Sequence, residues 1–221
     1  MLIWLVLIPL IAAALIGLCK APARPTALLS ASLTLALGIW ALVSFDGCSS
    51  CWSRFEGMDL QLTLAPALSK VMLLLTILVT FATVLGTNPP QGGEASWYNS
   101  ALLISAGATG AFLSDNIISF FAFHELALIP TFVMIGLYGR GDRRTTAWRA
   151  TLYLGLASMV LLAALLMIGT QAGFTFSGLK DFMASGRELA HAELIGALLI
   201  AGFGTLISLF PFHSWAAPAY A

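Results

Sequence analysis

Long apolar runs with almost no charge inside them constrain this chain more than any other feature. They cover residues 2–19, 26–45, about 60–86, 97–138, 150–171 and about 194–213. A helix rises about 1.5 Å per residue and a bilayer core is about 30 Å thick, so roughly 20 residues make one crossing. The run 97–138 is too long for one crossing and suits two, split near Ser114-Asp115-Asn116. The pattern predicts an all-α polytopic membrane protein with about seven transmembrane helices. Composition agrees: 59% of residues are hydrophobic and 9% charged, against about 25% charged in soluble domains. Residues 2–19 have no basic stretch before them, and Lys20 and Arg24 follow. That order suits a retained first span rather than a cleaved signal.

Other function classes fall away on the same evidence. Net charge is +0, so there is no basic field for nucleic acid. The glycines are scattered and form no nucleotide-binding fingerprint. No nucleophile, base and orienting group converge. Arg187-Glu188 and His191 with Glu193 read as a solvated outer loop and a helix start.

The gaps between runs set the topology. Numbered alternately, one set holds Lys20, Arg24, Arg140, Arg143, Arg144 and Arg149. The other holds Arg54, Lys180 and Arg187. Positive loops stay inside, so the first set is expected to be cytoplasmic and the N-terminus outside, in a bacterial-type inner membrane. Arg140-Gly-Asp-Arg-Arg reads as an inside anchor. Cys48 and Cys51 form a C-x-x-C in an outer loop. They are expected to be a small disulfide or free thiols rather than a metal site, because no further ligands lie nearby. Cys19, at a span end, reads as inert.

Charges inside a bilayer are costly and mark function. Lys70 sits toward the outer end of the third span, where its stem can snorkel to the interface. Glu125 lies near the middle of the fifth span and is too short to do so. Its helical neighbours Ile117, Ile118, Phe121, Ala122, Leu128, Ile129 and Phe132 are all apolar. Glu125 therefore has to face another helix or internal water. His124, about 100° round the helix, is expected to see different surroundings. Pro130 cannot donate to the Leu126 carbonyl, so a helix break or kink is expected there. In the seventh span Pro211 is expected to interrupt the helix, leaving His213 and Ser214 at a polar break. Proton-relay candidates are thus Glu125, His213, Lys70 and His124. No catalytic, cofactor-binding or metal-binding residue is assigned.

Two stretches then resemble a known family. Asn116-Ile-Ile-Ser-Phe-Phe-Ala-Phe-His-Glu-Leu-Ala-Leu-Ile-Pro130 is similar to the fifth-helix motif of the antiporter-like, proton-translocating membrane subunits of complex I (NADH:quinone oxidoreductase). Phe210-Pro-Phe-His-Ser-Trp215 resembles their seventh-helix break. The pattern is closest to the chain M or subunit 4 type, and it covers only the N-terminal half of such a protein. The resemblance implies the first half of an inverted-repeat fold. Residues 1–96 would form a three-helix membrane segment and 97–221 an incomplete proton-channel repeat. It implies that Glu125 is a central proton-channel residue, paired with a lysine on the broken seventh helix. Proton movement would be coupled to quinone reduction elsewhere, with NADH, FMN, iron–sulfur clusters and quinone in partner subunits and none bound directly. Partners would be other membrane subunits and the lipid bilayer, with no nucleic acid.

The sequence also departs from that pattern. Leu206 stands where the family has its seventh-helix lysine, and Ser208 where proline is common. Ala216-Ala-Pro-Ala-Tyr-Ala221 differs from L-P-D-A-H, and Pro66-Ala-Leu-Ser69 from D-G-L-S. With no cation opposite, low-dielectric surroundings favour the neutral carboxyl, so Glu125 is expected to keep its proton. Lys70 could substitute for the lysine, and Thr205 and Ser208 could hydrogen-bond a neutral carboxyl. Alternative readings are a subunit of a multisubunit Na+/H+ antiporter or membrane hydrogenase, or a non-transporting membrane scaffold.

Overall fold

A computed structural model describes residues 2–44, 49–55, 58–64, 67–90 and 92–220. The chain is mostly helical and divides into two compact units, Met1–Thr131 and Phe132–Ala221.

The first unit holds α1 (Ile3–Gly17), α2 (Ala23–Ser44), β1 (Ser49–Phe55), β2 (Met58–Thr63), α3 (Ala67–Gly86), α4 (Glu94–Leu113) and the larger part of α5 (Ile117–Tyr138). α1, α2 and α3 pack around α4, and α2 also packs on α1 and α3. Small residues allow the close approach: Ala12, Ala13, Ala27 and Ala31 are buried beside Tyr98 and Leu102 at one end. At the other end Leu2, Leu5, Leu64, Leu73, Ile77 and Leu113 form a second cluster. A polar contact crosses between helices here, from the Thr80 hydroxyl to Ser105 Oγ at 3.0 Å.

One feature corrects the all-helical expectation. Residues 58–63 are a strand, not the start of the third span, and pair antiparallel with β1. The cause is visible in Asp59-Leu60-Gln61-Leu62-Thr63-Leu64, which alternates polar and apolar with the period of a strand rather than a helix. Leu62 and Leu64 are buried at 3% and 0% exposure. The partner residues run from Ser49 opposite Thr63 to Phe55 opposite Met58, with an irregularity between Cys51 and Ser53. Cys48, and with it any bond to Cys51, lies outside the described residues; Cys19 is an exposed free thiol.

The hairpin also fixes the corner between α4 and α5. Leu62 bridges Ser114, and the Asp115 amide donates to the Gln61 carbonyl at 3.0 Å. Ser114 Oγ donates to the Gly110 carbonyl at 2.7 Å. Asn116 then opens α5, its Oδ1 accepting from the amides of Ile118 (2.8 Å) and Ser119 (3.2 Å). This side-chain cap satisfies amides the helix cannot.

The second unit holds the end of α5, then α6 (Arg143–Ala172), α7 (Phe176–Ala184), α8 (Ala192–Leu206) and α9 (Ala216–Tyr220). α6 is its spine, packing against α7, α8 and α9. Gly202 of α8 sits so close to Leu161 that a Cβ there would lie 2.9 Å from that side chain. α7 occupies the loop read as solvated, with Thr175 capping its start through a bond from the Gly178 amide.

Among the described residues, α2, α3, α5 and α6 are long and apolar enough to cross a membrane; α1 and α8 are apolar but shorter.

Candidate functional site

Glu125 lies mid-way along α5, which carries no other acid or base besides His124. The α4 backbone fixes how α5 is turned. A Cβ at Gly107 would fall 2.5 Å from the Ala127 amide nitrogen and 2.7 Å from the Phe123 carbonyl, and the Phe123 ring covers Gly110. The α5 face carrying residues 123 and 127 is therefore pressed on α4. At about 100° per residue, residue 125 lies on nearly the opposite face. Glu125 is expected to face another helix or internal water, and this geometry turns it to the side of α5 away from α4.

The expectation for His124 does not hold. His124 Nδ1 is 3.5 Å from Glu125 Oε1, and the side chains are 19% and 27% exposed. Adjacent residues diverge at Cα, but both side chains are long enough to converge over their own helix. The imidazole also lies near the rings of Phe120 and Phe121, at centroid distances of 6.4 and 6.2 Å. Nδ1 and Oε1 are buried, and neither has a hydrogen-bond partner among the described residues. Buried polar atoms are almost always paired, so this pair is a polar site inside an otherwise apolar helix.

Pro130 does not break α5. The helix continues through it to Tyr138, and Thr131 returns a hydroxyl hydrogen bond to the Ala127 carbonyl at 3.0 Å. One missing amide donor removes one hydrogen bond without ending a helix that its neighbours hold. Lys70 sits in the first turn of α3, half-buried.

The other candidate region is the end of α8, in the second unit. Here the helix stops at Leu206, ahead of Pro211. Ser208 adopts a left-handed φ of 60°. Its amide donates to the Thr205 carbonyl at 3.1 Å, and the Leu209 amide to the Gly204 carbonyl at 2.7 Å. This pair of bonds is the Schellman stop, with Leu209 packed over Gly204. So the stop is made at Ser208, and Pro211 lies within the turns that follow. Trp215, 3% exposed, donates Nε1–H to the Thr205 carbonyl at 3.0 Å. Ser214 Oγ donates to the Tyr153 hydroxyl oxygen at 3.0 Å, joining the turns to α6. His213 is exposed beside the Phe210 ring, 5.6 Å between centroids. The Thr205 hydroxyl donates back to the Ala201 carbonyl at 2.7 Å, so its proton is committed within α8. Leu206 is the last residue of α8, and that helix carries no basic side chain.

Residues 114–221, which contain both motifs, match the family described as NADH:quinone oxidoreductase/Mrp antiporter, TM. Over 98% of its length the chain is 24% identical to F(420)H(2) dehydrogenase subunit M of Methanosarcina mazei. The chain is a homologue of the complex I-type antiporter-like membrane subunits. This antiporter-like chain is also 30% identical, over 69% of its length, to NAD(P)H-quinone oxidoreductase chain 4 2 of Microcystis aeruginosa. It superposes on a chain of respiratory complex I from Thermus thermophilus with a TM-score of 0.85, at 26% identity and 99% coverage. It spans 47%, 28% and 46% of the lengths of those three chains.

Several residues of this antiporter-like chain escaped the reading of its sequence. For the Asn116 cap the signal is an Asn just before an apolar run. The Tyr153–Ser214 bond joins residues 61 apart, and no local pattern announces such a pair.

Proposed function

We propose that this chain is a membrane-arm subunit of a complex I-like NADH:quinone oxidoreductase and contributes to proton translocation coupled to quinone reduction. The observation that carries the proposal is the partly buried Glu125–His124 pair inside a helix able to cross a membrane. A carboxyl and an imidazole 3.5 Å apart are two groups able to exchange a proton within one hydrogen-bond adjustment. A proton entering at one side would protonate one of them, pass to the other, and leave towards a neighbouring group. The homologues' names support quinone-linked work, and the T. thermophilus match supports assembly with other membrane subunits.

In this reading seven helices cross the membrane: α1, α4 and α8 join the four long apolar ones. α8, the turns 207–215 and α9 act as one discontinuous helix, with His213 and Lys70 as further relay groups. Residues 1–96 form the flanking three-helix segment and 97–221 the channel repeat. The N-terminus faces outward across a bacterial-type inner membrane. NADH, FMN, iron–sulfur clusters and quinone belong to partner subunits. Leu206 replaces the usual cation, so His124 takes the role of partner to Glu125.

Glu125→Gln in the assembled complex tests this. The protons moved per quinone reduced are expected to fall by the share this subunit carries, because Gln cannot take up and release the proton. Unchanged coupling would point instead to a scaffold that keeps the fold without the relay.

A further inference from the structure

A cavity of about 760 Å³ opens at one end of the first unit, where α1 closes, α2 begins and α4 begins. Gly17, Lys20, Ala21, Glu94, Ser96 and Asn99 line it with a few others. Four observations give it a chemistry. Lys20 holds a left-handed φ of 52°, in a turn tied by the Ala21 amide to the Leu15 carbonyl at 3.1 Å. L-residues adopt that conformation at a cost, and here it sets a cation at the cavity. Glu94 brings an anion from the first turn of α4. The Asn99 amide lies against Gly17, where an added Cβ would be 3.3 Å from its Nδ2. Its Oδ1 is buried and accepts no hydrogen bond among the described residues. The cavity therefore presents one cation that donates and two acceptors, a carboxylate and an amide carbonyl that lacks a donor among the described residues.

The approach to the cavity is apolar. Trp4, Ile11, Leu15 and Leu18 are exposed at 51%, 48%, 42% and 83%. Their spacing puts them on one stripe of α1, which ends beside Lys20. Ala23, in the lining, opens α2, a helix long enough to cross a bilayer.

We propose that this cavity holds the headgroup of a phosphoethanolamine lipid. Lys20 meets the phosphate, Glu94 and Asn99 Oδ1 take the ammonium hydrogens, and an acyl chain follows the α1 stripe. A choline headgroup offers no N–H to Asn99 or Glu94. A glycerol headgroup brings a net negative charge against Glu94. A free phosphoethanolamine solute shares the headgroup chemistry but cannot use the stripe.

The test is native mass spectrometry of the full chain in detergent, with phosphatidylethanolamine, phosphatidylcholine and phosphatidylglycerol of matched acyl chains at equal concentration. Phosphatidylethanolamine should be retained about 10-fold over phosphatidylcholine, the ratio one charge-assisted hydrogen bond gives. Glu94→Gln and Asn99→Ala should each collapse that ratio, and Lys20→Ala should weaken retention of all three lipids. Glu94 and Lys20 are exposed, so a circular dichroism spectrum like that of the wild type is expected for those variants. Equal retention of the three lipids, preference for phosphatidylglycerol, or an unchanged ratio in Glu94→Gln overturns the proposal. Millimolar free phosphoethanolamine should leave bound lipid in place; displacement by it overturns the lipid assignment.

Discussion

Glu125 and His124 show how far residue-level reading reaches. That a carboxyl stands in an apolar helix, with only apolar neighbours on that helix, followed from spacing alone. That the imidazole of the next residue comes within 3.5 Å of it did not, because helical angles describe Cβ directions while two long side chains can close the gap. Asp142 offers a second single-residue test. It caps α6, with Oδ1 accepting from the Thr145 amide at 3.3 Å. Hydrogen bonds from the Thr145 side chain, then its backbone amide, and more weakly the charges of Arg149 and Arg144, hold its carboxyl below its ordinary 3.8. A lowered folded-state value means the cap contributes fully above 3.8 and is lost as pH falls through the folded value. Asp142→Asn keeps a neutral cap of similar quality. Thermal melts from about pH 6 to about pH 3 should therefore show the wild type losing an advantage that the variant never had. A constant difference in melting temperature across that range would contradict the cap's role.

At the scale of elements, close backbone approach and helix stops decide the architecture. Gly107→Ala puts a methyl into the Ala127 backbone and should destabilise the chain by about 1–3 kcal/mol, as overpacking does. Gly155→Ala is the control: nothing lies within 4 Å of its Cβ, and helix propensity alone predicts a gain of up to about 1 kcal/mol. Unfolding in mixed micelles would compare them. At the end of α8, Ser208→Gly should stabilise by about 1–2 kcal/mol, since only glycine takes a left-handed φ without steric cost. A loss of stability there would mean that the Ser208 side chain holds something its backbone does not. The apolar runs located α1 to α6 and α8 but not the short α7 and α9, which lie in no apolar run. They misplaced two boundaries because hydropathy sees neither a two-residue period within an apolar stretch nor a stop made by backbone hydrogen bonds. Residues 58–63 are the first case and Ser208 the second. The prolines, which read as the obvious breakers, end neither α5 nor α8.

For the whole molecule, the membrane class was legible from charge depletion, and kinship from two motifs that the matched region 114–221 contains. The proposed orientation has a direct check. Single cysteines at Ser53 in β1 and at Gly141 before α6, in a background without the native thiols, should label oppositely with an impermeant maleimide on intact cells. Ser53→Cys should react at once and Gly141→Cys only after permeabilisation; the reverse pattern would invert the topology.

The bond from Asp115 to Gln61 bears on the order of assembly. β2 leaves the synthesising machinery ahead of α3 and α4, yet the backbone it fastens exists only after both have emerged. Its edge must wait while two helices are inserted, and then close the corner behind them. The strand is in that sense a clasp, fitted when α3 and α4 are already made.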